Sequence, residues 1–64
     1  PTEAYLTERF GAGYADMLHD LIQKGHTQSE IAHHISTSRF SVSRSWVASW
    51  MYTQGYRRKW ERVS

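Results

Sequence analysis

The sequence predicts an all-α domain: a tri-helical core with short helical additions before and after it. Three observations predict this. The breakers are few, and Gly11, Gly13, Gly25 and Gly55 cut the 64 residues into helical lengths. Apolar residues recur at three- and four-residue intervals instead of alternating. A helix-opening motif, Thr27-Gln28-Ser29-Glu30, stands directly before one of the apolar runs.

The first helix spans Thr2–Phe10. Pro1 and Thr2 suit a start, Glu3 favours the positive end of the helix dipole, and Leu6 and Phe10 share a face. Gly11-Ala12-Gly13 is a joint, because each glycine costs about 1 kcal/mol inside a helix. From Tyr14 to Lys24 a stripe of Tyr14, Met17, Leu18, Leu21 and Ile22 opposes Asp16, Asp20 and Gln23, which is an amphipathic helix closed by Gly25. The Thr27–Glu30 capping box opens a third helix that carries Ile31, Ala32 and Ile35 inward and His33 and His34 outward. Ser36-Thr37-Ser38 interrupts the periodicity as a three-residue break. Ser38 then caps a fourth helix over Arg39–Thr53, on the order of 23 Å long. This helix carries two apolar stripes: Val42, Trp46, Ser49, Trp50 and Thr53 form one, and Phe40, Val47 and Met51 form the other, with Arg44 beside it. In the tail, 55–64, the spacing of Tyr56, Trp60 and Val63 favours a short helix, with a basic extended arm as the alternative.

One small domain over 1–64 is all this length supports, since roughly 60% of the surface of so short a chain is buried on folding. The absence of cysteine removes disulfides and thiolate zinc sites. Nine aromatic residues supply the core instead, each able to bury on the order of 150–250 Å². No apolar run reaches the roughly 18 residues of a membrane span and no signal-peptide pattern opens the chain, so a cytoplasmic setting is expected. Pro1 fits a chain start after loss of an initiator Met, and it fits an excised domain equally well.

Charge is uneven. Residues 1–32 hold five acids against two bases, a net −3, and residues 33–64 hold six bases against one acid, a net +5. A basic half is the electrostatic footprint of a polyanion partner, although basic residues also serve simply to solvate a surface.

The segment 27–47 joins these features. Two helices linked by so tight a turn cross steeply, and Ala32 stands where a larger side chain would hold them apart. Ile31, Ile35 and Val42 close the angle. The run Thr27-Gln28-Ser29-Glu30-Ile31-Ala32-His33-His34-Ile35-Ser36-Thr37-Ser38-Arg39-Phe40-Ser41-Val42-Ser43-Arg44 resembles the helix-turn-helix family of DNA-binding domains. It is similar to small phage and plasmid repressors, and to the recombinase and transposase heads that begin Gly-His-Thr-Gln-x-Glu-Ile-Ala. Ser36 stands where the family usually has Gly, and Thr37 where a small apolar residue is usual. With the helix Tyr14–Lys24 in front, the chain is similar to the tri-helical core of that superfamily, and the resemblance covers about half of it.

It implies sequence-specific binding to double-stranded DNA, as a small transcriptional regulator or repressor of phage or plasmid type, active in the bacterial cytoplasm or nucleoid. The alternatives are the DNA-reading head of a larger recombinase, transposase or terminase, and a helical protein–protein interaction module. The second helix of the motif would enter the major groove with Ser38, Arg39, Phe40, Ser41, Ser43 and Arg44 near the bases. Arg39 and Arg44 are candidates for guanine or for phosphate, and Phe40 for a thymine methyl or for packing beneath the turn. Thr27, Gln28 and Ser29, at a helix N-terminus, are phosphate candidates. Arg57, Arg58, Lys59 and Arg62, with Trp60 interleaved, suit backbone or minor-groove contact. A homodimer is expected through the second stripe, Val47 and Met51, extended by Tyr56 and Trp60, unless residues 1–10 or the tail cover it.

Other chemistries are demoted. His19, His26, His33 and His34 lack a metal-binding spacing, and no cofactor or small-molecule ligand is implied. No nucleophile elbow is present and the chain is too short to build a catalytic cleft, so an enzyme is not expected. RNA binding is a weaker reading, because the aromatics are spaced for packing.

Overall fold

A computed structural model describes residues 2–57 and 61–62 of the chain. Four helices form in order: α1 (Thr2–Phe10), α2 (Tyr14–Gln23), α3 (Gln28–Ile35) and α4 (Arg44–Thr53). Two short strands follow, β1 (Tyr56–Arg57) and β2 (Glu61–Arg62), paired antiparallel with Tyr56 opposite Arg62 and Arg57 opposite Glu61.

α1 carries Glu3 in its first turn and Arg9 in its last, and it buries Leu6 completely. α2 buries Leu18 and Ile22, and half-buries Tyr14, Met17 and Leu21 around them. Its end is closed by backbone bonds. The Gly25 N–H donates to Ile22 O at 3.0 Å and the His26 N–H to Leu21 O at 3.2 Å, with Gly25 at φ +89° in the left-handed region. α3 begins on the expected capping box: the Glu30 N–H donates to Thr27 Oγ1 at 3.1 Å, and the Thr27 N–H donates to Glu30 Oε1 at 2.8 Å. Ile31, Ala32 and Ile35 face the interior, and His33 and His34 are exposed.

α4 departs from the expected Arg39–Thr53. It starts at Arg44, capped by Ser43, whose hydroxyl accepts from the Trp46 N–H at 3.1 Å. Ser38 is not a helix cap, and the connection from α3 runs over 36–43 instead of three residues. Two forces keep 39–42 out of helix. Hydroxyl side chains crowd this run and capture backbone bonds a helix would need. The Thr37 hydroxyl accepts from the N–H groups of Arg39 and Phe40, at 3.2 and 3.0 Å, and the Ser36 hydroxyl accepts from the Val42 N–H at 2.8 Å. Phe40 meanwhile stacks on Tyr5 of α1, ring centroids 4.2 Å apart and planes within 10°.

The core runs from Leu6 through Leu18, Ile22, Ile31 and Ile35 to Val42, Val47, Met51 and Tyr56. Val47 and Met51 are 1% and 2% exposed, and Tyr56 is 4% exposed. These three were the expected dimer surface. They are interior to the single chain, and Trp60, the fourth residue assigned to it, lies outside the described residues. The stripes of α4 exchange roles: Val47 and Met51 are core, while Trp46 and Trp50 are half-buried at its margin.

The tail differs too. Gly55, at φ +91°, ends the turn after α4, and Tyr56 enters a strand instead of a helix. Its ring is buried, and its hydroxyl meets His19 Nδ1 at 2.6 Å. His19 in turn lies 5.1 Å from the Trp50 ring. No helix among the described residues is long and apolar enough to cross a membrane.

Candidate nucleic-acid interface

α4 packs on α3 through Val47 and Met51, so its opposite side is left to solvent. Ser45, Ser49, Tyr52 and Thr53 are exposed there, with Ala48 half-buried beside them, and Arg44 is exposed at the first turn, in line with Val47 and Met51. These side chains are short except for Arg44 at the first turn and Tyr52, which is 65% exposed, at the third. The first turn contains no acid, so the helix brings no negative charge of its own to the positive end of the α4 dipole.

The α3 N-terminus contrasts with this. Its first turn holds Glu30, whose carboxyl lies below the ordinary carboxylate range. The leading cause is the bond from the Thr27 backbone; burial opposes it, and His26 and the Thr27 side chain add to the lowering. An ionised carboxylate thus occupies the Thr27 N–H. Thr27 and Ser29 are exposed and Gln28 is half-buried, which leaves the backbone N–H groups of Gln28 and Ser29 as the donors an anion would meet there.

The other expected site residues divide. Ser43 and Arg44 stand at the start of α4, whereas Ser38, Arg39, Phe40 and Ser41 lie in the 36–43 connection and not on the helix. Arg39 is exposed, with its backbone held by Thr37. Phe40 belongs to packing, through its stack on Tyr5. The backbones of Arg57 and Arg62 lie in the paired strands; Arg58 and Lys59 are outside the described residues.

Sequence reasoning missed two groups. Ser45, Ser49 and Tyr52 recur at i, i+4 and i+7, and they emerge as an outward face only once the helix is started at Ser43. Tyr5 and Arg9 of α1 were also missed. The Tyr5 hydroxyl donates to the Ile35 carbonyl, and Arg9 Nη1 donates to the same carbonyl at 2.8 Å and to Tyr5 Oη at 3.0 Å. A cation thereby sits at the negative end of α3 and satisfies a carbonyl the helix leaves open. The one available signal was the i, i+4 spacing of Tyr5 and Arg9.

Among the described residues no group of three or more His, Asp or Glu could hold a metal ion. His26 and Glu30 approach to 3.8 Å, an exposed i, i+4 pair. No family model, no curated protein and no solved structure matches the chain.

Proposed function

We propose that the chain binds double-stranded DNA, with α2, α3 and α4 as a tri-helical helix-turn-helix core and α4 as the helix laid into the major groove. One observation carries this reading: the first turn of α4 presents Arg44 and Ser45 to solvent and lacks any acid, and the face behind it carries the short Ser49 and Thr53 beside Tyr52. A helix about 12 Å across with its side chains fits the major groove. In this reading Arg44 reads a base edge, Ser43 and Ser45 bond phosphate or base, and Ser49 and Tyr52 line the approach. Arg39 serves from the connection as a phosphate contact. The basic tail, following α4 directly, adds salt-dependent affinity. Such a chain acts as a small transcriptional regulator, or as the DNA-reading head of a larger recombinase, transposase or terminase. The stripe that suggested a homodimer is buried, so the proposal is for one chain on one site.

The test is selection of sites from a random duplex pool, followed by anisotropy titration of the selected and a scrambled duplex at several salt concentrations. Arg44→Ala should cost about 1–3 kcal/mol on the selected site and much less on the scrambled one. Equal losses on both would make Arg44 a phosphate contact. No loss on either would remove α4 from the interface.

A further inference from the structure

We propose that the groove between α1, α2 and α4 binds a cationic side chain, a guanidinium or an ammonium, presented by a partner protein chain. This groove adjoins the outward face of α4, with which it shares Ser49 and Thr53, and is lined besides by Glu3, Tyr14, Trp46 and Trp50. It encloses about 310 Å³, room for one or two side chains, and among the described residues no basic side chain lines it.

Its parts share one electrostatic sign. The Tyr14 hydroxyl donates to Glu3 Oε1 at 3.2 Å, which fixes the carboxylate at the rim. Trp46 and Trp50 stand one turn apart on α4, ring centroids 6.5 Å apart and planes within 19° of parallel, and both are half-buried, so part of each ring is open to solvent. Aromatic faces are the negative ends of ring quadrupoles and attract cations lying over them. Three rings and a carboxylate therefore converge on one volume, with no counter-charge among the described residues that line it. Burial and then the adjoining Glu3 raise the Tyr14 hydroxyl above its ordinary range, in keeping with negative potential there. A phosphate would be repelled here, so the groove is no extension of the DNA contact proposed above. A purely apolar peptide would gain nothing from Glu3. The groove is open, so a lysine or arginine enters it with its own backbone outside, past Ser49 and past Thr53, whose hydroxyl donates to Trp50 O at 2.7 Å.

The experiment titrates the ¹⁵N-labelled chain with N-acetyl-arginine methylamide and with its neutral isostere, N-acetyl-citrulline methylamide. The indole N–H signals of Trp46 and Trp50 are the readout. Saturable shifts are expected, with the arginine probe binding about tenfold more tightly than the citrulline one. Glu3→Gln should weaken the arginine probe by roughly three- to tenfold and leave the citrulline probe unchanged. Glu3 is exposed, so the variant keeps its fold, which an unaltered backbone spectrum verifies. Equal binding of the two probes overturns the proposal. So does a Glu3→Gln chain that binds arginine as wild type does, or duplex DNA saturating both indole signals while the arginine probe leaves them unmoved.

Discussion

The α2–α3 and α3–α4 connections of this chain turn one helix into the next by different physics. Between α2 and α3 the chain is turned by backbone bonds, and side chains enter only at the local capping box that opens α3. Gly25 takes a left-handed conformation, and the N–H groups of Gly25 and His26 return to the carbonyls of Ile22 and Leu21. Between α3 and α4 there is no glycine, and residues 36–43 are held by side chains. Ser36, Thr37 and Ser43 use their hydroxyls as backbone partners, and Tyr5 and Arg9 reach Ile35 from 30 and 26 residues away. A glycine lets a turn close locally. Without one, the turn borrows its bonds from side chains and its position from a distant helix. The first connection should therefore fail only when the turn itself is altered, while the second should respond to changes in α1. This matters for the proposed function, because the second connection sets where the first turn of α4 points.

The largest effect should come from the centre of the second connection. Ser36 is half-buried; its hydroxyl accepts from the Val42 N–H and donates to Ala32 O at 2.6 Å. Ser36→Ala leaves a half-buried amide without an acceptor, an omission worth about 1–3 kcal/mol. Urea unfolding would measure it. A loss below about 0.5 kcal/mol would mean that water replaces the hydroxyl, and that side-chain bonds do not hold this turn.

Gly25→Ala tests the other connection. A Cβ built there meets nothing within 4 Å, so any cost is conformational. Forcing an L-residue into the left-handed region costs about 1–2 kcal/mol. The same unfolding experiment reads it, and the loss should leave amide exchange in 36–43 unaffected. Accelerated exchange there would erase the distinction between a local turn and a borrowed one.

How legible these regions were in the sequence follows the same division. The first three helices could be read because their signals are local: Thr27 with Glu30, Gly25 after Lys24, and a stripe at helical spacing through Leu18 and Ile22. The start of α4 could not. Ser38 and Ser43 are equally good caps, and the choice between them is made by Tyr5 stacking on Phe40 and by Ser36 holding Val42. The exchange of the α4 stripes follows from that choice. A helix begun at Ser43 turns Val47 and Met51 onto α3, leaving Trp46 and Trp50 at the margin. The strand at Tyr56 was hidden for the same reason, since it depends on His19, 37 residues earlier. For the proposed interface, Ser43 and Arg44 were legible by residue type, whereas Ser45, Ser49 and Tyr52 required the helix start.

A smaller effect isolates the long-range tie. Tyr5→Phe keeps the stack on Phe40 and removes the hydroxyl, which donates to Ile35 O and accepts from Arg9 Nη1. A single such bond contributes about 0.5–1.5 kcal/mol. The more telling readout is amide exchange. The N–H groups of Phe40 and Val42 should exchange faster in the variant, and those of Gly25 and His26 should not change. If the two pairs respond alike, α1 supports the whole domain and not the second connection in particular.

The smallest effect separates the two helix starts by pH. Glu30 is the N-terminal acid of α3, and its carboxyl is held below the ordinary 4.5, first by the Thr27 N–H. A group lowered on folding contributes stability that is present above its unfolded value and lost as pH falls through its folded one. α3 should thus fray at its first turn as pH falls below the ordinary 4.5 and through the lowered folded value. The cap of α4 is the Ser43 hydroxyl, which does not titrate, and its first turn carries no acid. Its first-turn amides should therefore stay protected over the same interval. Glu30→Gln can still accept from the Thr27 N–H but carries no charge, so it should flatten the pH dependence of α3 while costing little protection at neutral pH. Amide exchange at Glu30 and Ile31, compared with Trp46 and Val47, reads both helices in one sample. Parallel fraying of α3 and α4 in acid would mean that the α4 start depends on a titrating group elsewhere. The contrast between an acid-filled and an acid-free helix start would then no longer single out α4 as the place an anion is received.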